Sequence, residues 1–270
     1  MKIQNQPSIA FSMNRYQRNE WKMEKTIEKL GTGLNIRRAS DDPTGLALSE
    51  TMRTQIRGLS QAQRNMQDGL SMLQAANEGL NNVNALLQRA GELAVLNANG
   101  TLTENDRQKS QVELDQLMES INDTATKLQF NTKQILGENT PLVLMVGPTP
   151  GELISLDLID TSTTALGLDG TNLLTADAAS NLITKLNEAI SQTTSNLTKM
   201  GAYYESIEHH MQNALLKESN LTSSFSSMVD TDMAKEMMQF VSLGIRQKGD
   251  QLLISNVSQQ STDVLNIVLK

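Results

Sequence analysis

The sequence predicts a mainly α fold: an elongated antiparallel helical bundle or coiled coil with a small β-hairpin region, its N- and C-terminal helices paired. Three observations carry that prediction. Apolar residues recur every seven positions over a very long stretch, the pattern of helices packed lengthwise. Aromatic residues are only 3% of the 270 residues, so the core must be Leu, Ile, Met and Ala, which suits parallel rods better than a compact globule. One segment, residues 139–179, breaks the helical pattern with β-prone residues, Gly and Pro.

Taken in order, Ile9, Met13, Tyr16, Met23, Ile27 and Leu30 form a first heptad stripe, interrupted by Glu20. "LGTGLNIRRAS" (30–40) follows as a hinge, with Gly31-Thr32-Gly33 a flexible turn. Asp42 then stands where an N-cap belongs, and Pro43 sits at the first helical position, where a missing N–H costs nothing. From Met52 the series Ile56, Leu59, Gln63, Met66, Leu70, Leu73, Asn77, Leu80, Asn84, Leu87 alternates steps of four and three. The helix it marks runs over 43–98, on the order of 80 Å, and implies an elongated molecule. Asn99-Gly100 predicts its stop, because both residues tolerate the left-handed backbone. Thr103 caps a second helix carrying Leu114, Leu117, Ile121 and Leu128, antiparallel to the first because the link is short.

"PLVLMVGPTPGELISLDLID" reads as a β-hairpin, with a Gly-Pro-Thr-Pro-Gly turn and alternation over Leu153, Ser155, Leu156 and Leu158. Thr175 or Asp177 caps the next helix, whose stripe runs from Leu186 and Ile190 to Phe225 and Met228. A last, shorter stripe is Met238, Val241, Ile245 and Leu252. Neither terminal stripe can bury itself, so the two pair mutually or order when other copies supply the surface. The divisions expected are 1–42, 43–138, 139–179, 180–229 and 230–270.

Composition excludes several functions. A net charge of −7 speaks against a nucleic-acid surface. With no Cys and two His, neither disulfides nor thiolate chemistry is available and little remains for zinc. No apolar run is long enough to span a membrane, and the first residues lack the form of a secretory signal. We expect no cofactor and no metal.

The candidate sites are few. Asp41 and Asp42 resemble a carboxylate pair, and a hydrolase using them is a conceivable function. General acid–base work needs a pocket and further polar partners, whereas capping needs only what is present, with Asp41 adding charge at the positive helix end. His209 and His210 point about 100° apart on a helix, so they hold one ion badly, and Glu205 sits one turn away from His209 as a surface ion-pair partner. Asn99, Asn196, Asn220 and Asn256 each begin an Asn-x-Ser/Thr triplet, which is common by chance in such a composition. Arg89, Glu92 and Leu93, in "LLQRAGELAVLNANGT", read from spacing alone as a solvated helix face. No enzyme is apparent.

The stretch from "LGTGLNIRRASDDPTG" to "LAVLNANGT" (30–101) resembles the N-terminal region of bacterial flagellin. "LQFNTKQIL" (128–136) is similar to the segment before the flagellin hairpin, and "VDTDMAKEMMQF" with "SQQSTDVLNIVLK" resembles the C-terminal region. Together these cover about residues 1–166 and 180–270. The resemblance implies a minimal flagellin: 1–42 and 230–270 as an inner filament domain, 43–138 and 180–229 as an outer helical one, and 139–179 in place of variable domains.

It also implies the function, a self-assembling structural subunit of the filament used for swimming. Its terminal helices would order on polymerisation. The hook–filament junction protein is the alternative on the same plan. Implied partners are other copies, the flagellar cap and junction proteins, and a cytoplasmic export chaperone on the C-terminal segment; no nucleic acid and no membrane are involved. Export through the flagellar type III apparatus to the extracellular flagellum is implied as well. In some flagellins a Toll-like receptor contacts the patch to which Arg89, Leu93 and Glu113 correspond. Gly91 and Leu96 depart from the usual Arg and Gln there.

Overall fold

The computed structural model describes the backbone of residues 5–137 and 140–268, and side chains over 10–137 and 140–259. The helices are α1 (Asn5–Thr32), α2 (Pro43–Ala98), α3 (Glu104–Lys127), α4 (Ala176–Val229) and α5 (Met233–Val268). Four short strands pair as two antiparallel ribbons, β1 (Gln129–Phe130) with β2 (Lys133–Gln134), and β3 (Pro141–Met145) with β4 (Leu153–Asp157). The mainly α class with a small hairpin is the class that the heptad pattern predicts. Among the described residues no helix is long and apolar enough to cross a membrane.

Local chemistry accounts for most helix ends. Gly33, at φ 71°, donates its N–H to Lys29 O at 2.8 Å and closes α1 with a left-handed cap. Asp42 Oδ1 accepts from the N–H groups of Thr44 and Gly45, both at 3.0 Å, at the start of α2. Thr103 caps α3, its hydroxyl oxygen accepting from the Asp106 N–H while its O–H donates to the Asp106 carboxylate at 2.7 Å. Thr175 accepts from Ala178 N–H at 3.2 Å, and Asp232 from Ala234 and Lys235, so α4 and α5 begin on side-chain caps as well.

The end of α2 has a different cause from the one the sequence suggests. Neither Asn99 nor Gly100 has a positive φ. Instead the guanidinium of Arg107, a buried residue in the first turn of α3, donates to the carbonyl of Asn97 and, at 2.9 Å, to that of Asn99. A cation from the next helix satisfies carbonyls that the helix end leaves open, and it meets the negative end of the dipole.

The chain divides into two compact units, residues 55–219 and residues 1–54 with 220–270. Within the first, Val83, Leu87, Ala90, Leu114, Ile121, Leu182 and Leu186 from three helices form a continuous core. Leu166, Leu168 and Leu173 join it from the connection after β4, so this segment is packed rather than looped into solvent. Its backbone is held by side chains: Thr163 N–H donates to Asn122 at 2.9 Å, and Leu173 N–H to Gln111 at 2.6 Å.

In the second unit α1 and α5 run antiparallel. Arg15 and Asn19 meet Asp250, and further along Lys29 stands 3.8 Å from Glu236. The 30–40 segment is tied to the α4–α5 junction by a bridge between Leu34 and Asp230. Asn35 N–H donates to Val229 O at 2.7 Å there, and Thr231 N–H to Gly33 O at 2.8 Å.

Candidate functional site

The terminal helices carry the first candidate surface, and their contact face explains what it can do. A row of shielded positions on α5, Glu236, Phe240, Leu243, Gln247, Asp250, Ile254 and Val257, again advances in steps of four and three, with Ser242 and Gly244 shielded beside it. On α1 the corresponding row is Ser12, Tyr16, Asn19, Met23, Thr26 and Leu30, with Lys25 and Lys29 half-shielded beside it. This seam is half polar. Its most buried members include Thr26 at 3% exposed and Asp250 at 1%, the latter ion-paired to Arg15 at 2.7 Å and accepting from the Asn19 amide at 2.8 Å.

The stripe read from the sequence therefore splits. Tyr16, Met23 and Leu30 lie half-buried at the seam, whereas Met13 and Ile27 are exposed. Ile9 falls within α1, but its side chain lies outside the described residues. On α5, Met238, Val241, Ile245 and Leu252 all face solvent, between 53% and 69% exposed. Mutual pairing of the terminal helices thus occurs through a face beside this stripe, not through it. Met233, Met237 and Leu253 on α5 and Phe11 on α1 are further exposed apolar side chains outside the stripes read from the sequence, and Trp21 of α1 is exposed as well. The signal was there: α5 is apolar on two sides, and one helix partner can cover only one of them.

The second candidate is the patch near the end of α2. Arg89 donates through Nε and Nη2 to Glu113 Oε1, at 3.0 and 2.8 Å, and through Nη1 to Glu92 Oε2 at 2.8 Å. Hydrogen bonds from these carboxylates, Glu92 first and then Glu113, hold the guanidinium protonated above even its usual range. Leu93 does not share the surface. At 4% exposed it belongs to the core, because it lies on the side of α2 that meets α3 and α4. The exposed apolar residues nearby in sequence are Val95 and Leu96 on α2 and Val112 on α3.

Catalytic chemistry has no seat at the acidic pair. Asp42 is occupied in capping, and Asp41 accepts from the N–H groups of Arg38 at 3.2 Å and Arg37 at 3.4 Å, with Lys25 at 3.7 Å. The Arg38 N–H, above all, holds the Asp41 carboxyl below its usual range, with burial opposing and Arg37 and Lys25 assisting. His209 Nε2 lies 3.9 Å from Glu205, both exposed. Among the described residues no group of three His, Cys, Asp or Glu side chains is arranged to hold a metal ion.

The family description "Bacterial flagellin N-terminal helical region" matches residues 4–140, and "Bacterial flagellin C-terminal helical region" matches residues 183–268. A flagellin of Halalkalibacterium halodurans is 39% identical over 248 residues, 91% of either chain. A flagellin of Bacillus subtilis is 34% identical over 99% of this chain and all of its own length. Among solved structures, the crystal structure of Bacillus cereus flagellin superposes with a TM-score of 0.52 at 29% identity, covering 56% of this chain and 88% of that one.

Proposed function

This chain belongs to the bacterial flagellin family, and from that premise we propose that the outward faces of α1 and α5 are where its copies lock together. As a flagellin it is a structural subunit that self-assembles into the flagellar filament, and not an enzyme. Met13 and Ile27 on α1, with Met238, Val241, Ile245 and Leu252 on α5, supply the assembly surface. The observation that carries this reading is the α5 row. A solvated helix has no reason to hold Met238 at 69%, Ile245 at 68% and Leu252 at 66% exposure unless another surface covers them. Residues 1–42 and 230–270 then act as the inner filament domain, 43–138 and 180–229 as the outer one, with 139–179 standing where larger flagellins carry variable domains.

The remaining partners extend the same proposal. A surface so apolar needs cover before assembly, which supports an export chaperone on the C-terminal segment and passage through the type III apparatus to the outside of the cell. Cap and junction proteins meet the same terminal faces. Arg89 and Glu113, both about half exposed, provide the charged part of a surface that a host Toll-like receptor can contact, and Leu93 supports it from beneath.

Deletion of residues 233–270 tests the assembly mechanism. Seeded growth followed by electron microscopy should show long filaments for the full chain and none for the truncated one, with helix retained by circular dichroism. Long filaments from the truncated chain would overturn the role given to α5.

A further inference from the structure

The chain contains 14 Met and no Cys, so thioethers are its only sulfur chemistry. Their surroundings differ sharply. Met66, Met72 and Met200 are buried, at 0%, 6% and 1% exposed. Among the described residues five methionines are open to solvent: Met13, Met145, Met233, Met237 and Met238. Three of these fall within one and a half turns of α5. Met237 and Met238, at 50% and 69%, line a shallow apolar concavity of about 530 Å³ with Val241, Ser242, Ile245 and Arg246.

We propose that Met237 and Met238 form an oxidation-sensitive switch: peroxides convert their thioethers to sulfoxides and so bar the free subunit from joining a filament. The inference rests on the reading of α5 as the assembly face. In the reaction a sulfur lone pair attacks one oxygen of hydrogen peroxide and the O–O bond breaks. That oxygen stays on sulfur, and the departing hydroxide takes up a proton to leave as water. Sulfur is oxidised by two electrons and the peroxide reduced by two. The product is no longer a soft apolar side chain. A sulfoxide oxygen is a strong acceptor that must keep a donor, and an apolar contact with another subunit offers none. Oxidation therefore acts on the subunit before assembly, while packing against neighbours shields the same sulfurs in the polymer. The buried methionines are internal controls, since oxidant reaches them only when the fold opens.

The test compares purified subunit and preformed filaments, each with and without hydrogen peroxide, reading sites by peptide mass spectrometry and function by seeded elongation. Met237 and Met238 should oxidise ahead of Met66 and Met200 in the free subunit, and be protected in filaments. Elongation by the oxidised subunit should fall at least about tenfold, as expected for a polar group buried without a partner. Methionine sulfoxide reductases with a thiol reductant should restore it. In the Met237→Leu/Met238→Leu chain elongation should lose its sensitivity to peroxide, treated and untreated subunits of that chain growing filaments at the same rate. Unchanged elongation by subunits oxidised at both positions overturns the inference, as does equal loss in the double-leucine chain. Restoration by the reductases uses the native chain, so it remains decisive even if the leucine pair disturbs growth by itself. Failure of the untreated subunit to elongate would instead overturn the assembly reading beneath it.

Discussion

Thr132 holds a left-handed backbone that a β-branched residue adopts only at a cost. It follows Asn131 in the two-residue turn joining β1 to β2, and both have positive φ, 49° and 67°. That is the turn a tight hairpin prefers, and Asn suits its first position; a β-branched residue at the second is strained. Thr132→Gly should raise stability by about 1 kcal/mol, read from urea denaturation, and an unchanged midpoint would mean the turn relaxes without cost. Acid acts on single residues too. Asp41 and Asp106 both have carboxyls held below the ordinary value of 3.8, the first chiefly by the Arg38 N–H and the second chiefly by the Thr103 hydroxyl. A depressed folded-state pKa means that the stabilisation is complete above the unfolded value and drains away as pH falls through the folded one. Helicity should hold from neutral pH to about 4 and then decline. Asp106→Asn should flatten the part of that decline due to the α3 cap, and an unaltered acid titration for this variant would contradict the assignment.

Helices and hairpins meet through glycines. A Cβ on Gly58 would stand 2.6 Å from Pro148 Cβ and 3.2 Å from its Cα, and one on Gly69 would stand 2.8 Å from a Leu144 methyl. The β3–β4 hairpin can lie against α2 only because both positions lack a side chain. Gly91 lies on the same helix with nothing within 4 Å of its would-be Cβ. The pair makes a controlled experiment. Gly91→Ala should stabilise by up to about 1 kcal/mol through helix propensity alone. Gly58→Ala should cost about 1–3 kcal/mol by overpacking against a proline ring that cannot swing aside. Thermal melts of the two variants moving in the same direction would show that the hairpin seat is softer than it looks.

At the scale of the whole molecule, burial is unevenly shared. Among the described residues, the unit made of 1–54 and 220–270 buries only three apolar side chains, Ile36, Val229 and Leu243, and fills its seam with Thr26, Asn19 and Asp250. The unit of 55–219 holds the rest of the apolar core. Local stability follows buried apolar contact, so amides of α1 and α5 in the free subunit should exchange hydrogen at least about tenfold faster than those of residues 83–94. Equal protection would show that the polar seam is as strong as the leucine core. An incompletely buried terminal unit fits a subunit whose neighbours finish it.

Much of the chain was written locally, and local features could be read. The start of α2 at Pro43, the caps at Asp42, Thr103 and Thr175, and the hairpin after Pro141 depend on residues within a few positions of one another. So does the heptad period that announced the helices. Four matters depended on residues far apart. Arg107, not Asn99-Gly100, satisfies the end of α2. Leu166, Leu168 and Leu173 leave their connection for the core. Leu93 turns inward, away from Arg89 and Glu113. α5 offers α1 the Phe240–Leu243–Asp250 side and leaves Met238, Val241, Ile245 and Leu252 outward. Periodicity says that a helix has an apolar stripe; only the packing of its neighbours decides which stripe is covered, because burial is a property of pairs of surfaces and not of either one alone.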